Sequence, residues 1–186
     1  TRWWLALWTL MSKTPAKTHA ETPTRTCANP PKLSLAVQYG MAAPELPRWR
    51  LRRWVEGAVA QADPQAIQGL ARIGLTLRLV DKDEGFYLNQ TYRQKAYATN
   101  VLTFEYEPMP GQSDERMGDI VICVPVLQDE ARAQQKPFLH HAAHLVVHGT
   151  LHALGYDHLS PEQAEKMEAL EARVLARWGI ADPYRA

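Results

Sequence analysis

With 186 residues, the chain is long enough for one domain with a substantial hydrophobic core and short for two of typical size. Its apolar and charged fractions are those of an ordinary globular protein, which excludes the disordered, fibrous and membrane classes. A formal net charge of +1 means that any nucleic-acid partner must be held by a local basic patch, because the global field is nearly neutral.

The chain opens on Thr1, and its apolar run from Trp3 to Met11 falls well short of the roughly 20 residues a membrane-spanning helix needs. Arg2 and the Thr18-His19-Ala20 sequence make a weak signal peptide. Residues 1–31 are therefore expected to be a disordered or over-extended leader, with Met11 as a candidate start. Thr14 to Pro31 carries almost no large apolar residue to offset the entropy of folding. A single domain is expected over 32–186. The two cysteines, Cys27 and Cys123, form neither a metal-spacing motif nor a disulfide framework, a usage that suits a reducing cytosol.

Leu33 to Tyr39 alternates apolar and polar residues and predicts a strand ending at Gly40. From Pro47 the period changes: Leu51, Trp54, Val55, Ala58 and Val59 share one helical face, with Arg48, Arg52 and Arg53 elsewhere, so the helix is amphipathic with a basic side. Leu75 to Val80 reads as a strand and Phe86 to Tyr92 as a short helix running into a loop. Val101 to Tyr106 and Asp119 to Val126 are strand candidates on either side of a Pro/Gly/Ser/Asp-rich excursion. Helices are predicted over Leu127 to Gln135, Leu139 to Leu154 and Pro161 to Trp178, the last with Pro161 suited to a first turn after Ser160. The order predicts an α+β domain, a small mixed sheet packed with helices.

Chemistry concentrates in HLVVHGTLHALGYDH, His144 to His158. Residues four apart on a helix advance about 400°, so His148 and His152 stack and can point ring nitrogens at one ion. Gly155 permits a left-handed cap, after which His158 can return as a third ligand. The pattern H-x-x-x-H-x-x-G-x-x-H has the ligand spacing of the metzincin zinc site, but Gly149 stands where those proteases hold a catalytic Glu. A zincin-like site on a central helix and the following turn is expected, with the fourth position left to water. Three imidazoles suit Zn²⁺, whose bound water titrates near pH 7 and would be the nucleophile; the same ligands also take Ni²⁺ or Cu²⁺. His144 is expected behind the ligands or in the core, and His140 and His141 as solvated residues at the helix start. Asp157 is expected either as an acid or as a partner for a ligand imidazole.

These residues carry a family resemblance. HGTLHALGYDH is similar to the signature of the YbeY family of rRNA maturation factors, single-strand-specific metallo-endoribonucleases. Upstream, LNQTYRQKAYATNVLTFEY, Leu88 to Tyr106, resembles the family's L-N-x-x-Y-R loop and T-[DN]-V-L-[ST]-F strand, and Gly118 to Ile122 resembles its next strand. Ala96, Ala98 and Asn100 depart from the commoner acidic or proline residues of that loop. The resemblance spans about Lys32 to Trp178. It implies zinc on His148, His152 and His158, Arg93 at the substrate end of the cavity, and a cytoplasmic role on ribosomal subunits in maturing the 3′ end of 16S rRNA and in ribosome quality control.

The chemistry agrees, since attack at phosphorus calls for a cation to balance charge on the non-bridging oxygens, and a guanidinium such as that of Arg93 offers paired donors. RNA contact is expected from Arg48, Arg52, Arg53 and Lys95, with Trp49 or Tyr92 stacking on unpaired bases. Two alternatives stand beside the nuclease: a zinc-stabilised ribosome-assembly binding factor with weak or incidental hydrolase activity, and a metal-dependent peptide or amide hydrolase.

Overall fold

The computed structural model describes residues 30–107 and 114–185. The expected leader, Met11 and Cys27 therefore lie outside the described residues, apart from Pro30 and Pro31. The middle of the excursion between the later strands also lies outside them.

The elements run β1 (Lys32–Tyr39), α1 (Arg48–Gln61), β2 (Arg72–Val80), α2 (Lys82–Arg93), β3 (Val101–Tyr106), β4 (Glu115–Cys123), α3 (Val124–Ala133), α4 (Phe138–Ala153) and α5 (Pro161–Ala176). One sheet has the order β1-β2-β4-β3, in which β1, β2 and β4 are parallel and β3 runs antiparallel along β4. Parallel neighbours need crossovers, which α1 supplies between β1 and β2. This mixed sheet packed with helices is the α+β class expected from the sequence.

The two faces of the sheet are unequal. Ile73, Leu75, Leu77 and Leu79 of β2, with Ile120 and Ile122 of β4, face the main core, shared with Leu51 and Val55 of α1 and Val146, Val147 and Leu151 of α4. Full burial of such a side chain contributes about 1.5–3 kcal/mol, so Leu77→Ala, at a position with no exposure, would cost roughly 2–5 kcal/mol. The opposite face carries a smaller cluster of Val80, Leu102, Val121 and Cys123 under Leu88 of α2.

Helix α4 is the axis of the molecule, touching α1, α3, α5, β3 and β4. Gly149 sets how closely it lies on the sheet: a Cβ there would come within 2.7 Å of Ile120 Cγ2 and 3.3 Å of Thr103 Oγ1. The protease-like Glu is therefore excluded by packing, because the space it would need is filled by β4 and β3.

Several boundaries differ from the sequence expectation. β2 begins at Arg72 and α2 at Lys82, where the Asp81 carboxylate accepts the Glu84 N–H at 2.9 Å and caps the helix. The strand expected to reach Val126 ends at Cys123; α3 starts at Val124, with Pro125 in its first turn, where a missing N–H costs nothing. His141 is not a solvated residue: it is 2% exposed, with Nε2 2.9 Å from Glu130 Oε2, because α3 folds back over the start of α4. Asn100, also buried, donates to both Glu130 oxygens at 3.0 Å. The loop departure at Asn100 thus ties β3 to α3. No helix among the described residues is long and apolar enough to cross a membrane.

Candidate metal centre

Two candidate ligands come from regular helix. His148 and His152 sit one turn apart on α4, with their Nε2 atoms 3.1 Å from each other. The third needs the helix to stop. Gly155 adopts φ +86°, its N–H donating to His152 O at 2.8 Å, while Tyr156 N–H donates to Leu151 O at 3.1 Å, the paired bonds of a left-handed C-terminal cap. The chain then doubles back, and the His158 ring comes to 5.0 Å from that of His152 and 5.9 Å from that of His148. The candidate ligand atoms of the three lie within 4.8 Å of one another. The guanidinium of Arg116 of β4 lies against Gly155, and the positive φ is what makes glycine necessary there.

The residues fit a tetrahedral ion. Zinc–nitrogen bonds of about 2.0–2.1 Å separate two ligand nitrogens by roughly 3.3 Å, close to the spacing of His148 and His152. Burial, then the neighbouring His148 and His158, push the His152 imidazole down to about 3. It is therefore neutral at ordinary pH, the form that binds metal. His152 also has a hydrogen bond to the Tyr156 backbone, a second restraint on its ring.

Behind the three histidines stands Glu171 of α5, which has no exposure. Its Oε1 lies 2.7 Å from His148 Nδ1, and its Oε2 lies 2.9 Å from His144 Nε2 and accepts from the Tyr184 hydroxyl. Burial pushes this carboxyl up, but the hydrogen bonds from His144 and His148 outweigh it and hold the group well below the usual carboxylate range. Sequence reasoning missed Glu171. The signal was there, because an acid flanked by Leu170 and Val174, four residues after Met167, sits on the apolar stripe of α5.

The other expected site residues scatter. His144 sits behind the cluster with its Nε2 on Glu171, and His140 is exposed. Asp157 Oδ1 accepts the His158 backbone N–H at 2.7 Å; the carboxylate on the imidazoles is that of Glu171. Arg93, the last residue of α2, donates to Thr103 O at 3.4 Å across the β3 edge, and Thr103 borders Gly149. Burial lowers the Arg93 guanidinium from its ordinary value. Lys95 follows α2 just past its left-handed cap at Gln94.

Arg48, Arg52 and Arg53 do not converge. Arg48 donates to Val37 O at 2.5 Å and lies over the Tyr39 ring, Arg52 reaches Glu56 and Leu35 O, and Arg53 borders a groove with Arg177 and Trp178. The exposed Trp49 ring holds the Arg50 guanidinium at 4.9 Å. Tyr92, also exposed, meets Phe104 edge-on at 5.0 Å, beside a groove formed with Tyr106 and Asp119.

Residues 41–179 match the family model described as Endoribonuclease YbeY. Endoribonuclease YbeY of Bordetella pertussis is 61% identical over 155 residues, covering 83% of this chain and 98% of that protein. The chain belongs to the YbeY endoribonuclease family. The protein of the same name from Alkalilimnicola ehrlichii is 51% identical, covering 83% of this chain and 93% of its own. Among solved structures, that of TM1509 from Thermotoga maritima superposes with a TM-score of 0.51 at 24% identity, covering 82% of this chain and all of that one, a likeness of fold. Membership accounts for the metal-site motif and the L-N-x-x-Y-R segment together, two stretches that the fold joins through Arg93, Thr103 and Gly149.

Proposed function

We propose that this chain is a zinc-dependent, single-strand-specific endoribonuclease of the cytoplasm, acting on ribosomal RNA to mature the 3′ end of 16S rRNA and in ribosome quality control. The observation that carries the reading is the convergence of His148, His152 and His158 in a chain of an endoribonuclease family. Ribosomal subunits are the partners this reading implies.

Three imidazoles with no fourth protein ligand among the described residues match a catalytic rather than a closed structural zinc site, and the same donors accept Ni²⁺. Held by His148, His152 and His158, zinc would supply Lewis-acid chemistry toward a phosphoryl oxygen and make water acidic enough to react near neutral pH. The chain's own groups do the rest. Arg93 presents a guanidinium to the non-bridging oxygens as charge builds on them, steadied by Thr103 at the edge of the site. The exposed Tyr92 ring, packed edge-on against Phe104, offers a surface on which an unpaired base can stack. Proton transfer falls to carboxylates near the Gly155 turn: Asp157, and Glu105, whose carboxyl desolvation pushes up against the opposing charge of Arg116. The packing at Gly149 counts against the peptide-hydrolase alternative, since a general-base Glu has no room there.

The test is cleavage of single-stranded and duplex RNA by the wild type and His152→Ala, with circular dichroism to check folding. The reading expects cleavage of the single strand alone, lost with the folded variant and with chelator. Equal cleavage by both proteins would remove the site from the mechanism.

A further inference from the structure

The buried carboxylate behind the histidines reaches beyond α5 to the C-terminal segment. Tyr184 lies eight residues past the end of α5, yet its hydroxyl donates to Glu171 Oε2 and sits 3.1 Å from His144 Nε2. The ring meets that of His144 edge-on at 5.5 Å. The Lys136 ammonium donates to Pro183 O at 3.4 Å, a second tie for the same segment. Glu171 thus takes His148 on one oxygen and His144 and Tyr184 on the other.

Glu171 Oε1 occupies Nδ1 of His148, and Oε2 occupies Nε2 of His144. That leaves Nε2 of His148 as the ring nitrogen that faces His152. The contact with Glu171 therefore decides which nitrogen of His148 can serve as a ligand. His144, its Nε2 spent on the carboxylate, acts through Glu171. His144, His148 and Glu171 also fall within metal-ligand reach of one another, but imidazole and phenol donors already fill the carboxylate, which leaves them a support rather than a second ion site.

We propose that Glu171, locked by His144 and by Tyr184 of the C-terminal segment, is the positioning residue that fixes the metal-binding face of His148, so that the chain's end sets how tightly the ion is held. The proposal rests on reading His148, His152 and His158 as ligands and is independent of the RNA substrate. Removing a partner that orients a ligand histidine typically costs about 10–100-fold in metal affinity.

The experiment is zinc affinity by competition with a chromophoric chelator for the wild type, Tyr184→Phe and Glu171→Gln. The thermal midpoint of each metal-free protein and the visible spectrum of its Co²⁺ form complete the set. Tyr184→Phe keeps the ring and removes only the hydroxyl, so it guards against a Glu171 variant that fails to fold. The expected result is weaker zinc binding for Tyr184→Phe, by severalfold or more, with the metal-free midpoint close to wild type and altered Co²⁺ bands, and a larger loss for folded Glu171→Gln. Wild-type affinity and spectrum in Tyr184→Phe would overturn the role of the C-terminal segment. Wild-type values in a folded Glu171→Gln would overturn the proposal altogether. A wild type that binds neither metal would instead defeat the metal reading on which the proposal stands.

Discussion

Helix α4 with its exit turn and helix α1 each carry three chemically suggestive side chains, and the fold treats them oppositely. On α4 and its exit turn, His148, His152 and His158 come together, because helical period and a left-handed glycine dictate the path. On α1, Arg48, Arg52 and Arg53 separate, two toward carbonyls of β1 and one toward Trp178. Convergence is encoded by spacing together with a chain reversal. A count of like charges on one helix encodes no common target, and the packing of neighbouring elements decides where each points.

The strongest way to break this comparison is to remove a ligand. His158→Ala should cost more than the roughly 100-fold in zinc affinity expected for losing a supporting partner, and should abolish RNA cleavage while the metal-free protein stays folded. Retained zinc at full stoichiometry would mean the turn does not deliver His158 to the ion. Next comes Arg93→Ala, which should lower kcat about 10²–10³-fold, as losing one donor to a developing oxyanion does, at unchanged metal content. A rise in KM alone would assign Arg93 to binding.

Gly149→Ala is the packing counterpart. A Cβ placed 2.7 Å from Ile120 Cγ2 should cost about 1–3 kcal/mol as overpacking, visible as a lower denaturation midpoint despite alanine's better helix propensity. A stabilised variant would show that α4 can lift off the sheet.

The pH dependence of the metal-free protein is smaller and graded. The His152 imidazole is depressed to about 3 in the folded state, against about 6.5 unfolded, so acid favours the unfolded chain. Stability should be full above about pH 6.5 and fall below it, by at most about 1.4 kcal/mol per pH unit. The depressed Glu171 carboxyl adds to the loss below the ordinary carboxylate range. Urea midpoints that stay flat from pH 7 to about 5 would contradict the burial assigned to His152.

The smallest effect is expected of Arg52→Ala. Its ion pair with Glu56 is half exposed, so stability should change by no more than about 0.5 kcal/mol, and the salt dependence of RNA binding should not change. A salt slope reduced by about one charge would place α1 on the RNA-binding surface.

The convergence of His148, His152 and His158 was legible because its logic is local. Two residues four apart on a helix, a glycine and a histidine three residues later state the geometry in consecutive sequence. The sheet was also legible in kind, from alternation in β1 and β2, though the pattern does not mark the start of β2, and β4 carries an apolar run whose end it does not mark. The helical start at Val124 was hidden in such a run, with Pro125 as its one punctuation mark. His141 was misplaced because a histidine at a helix start carries no sign of what covers it, and the cover here is α3. The Glu171 network was least visible. Its members, at 144, 148, 171 and 184, are joined only by the packing of α5 and the C-terminal segment on α4.

The most direct test of the central claim is elemental analysis of the wild type and His148→Ala, with cleavage of one single-stranded RNA followed before and after chelation. The account predicts about one zinc per chain in the wild type, none in the variant, and cleavage only where the metal is present. Zinc bound in both proteins, or RNA cut equally well by the stripped protein, would contradict it.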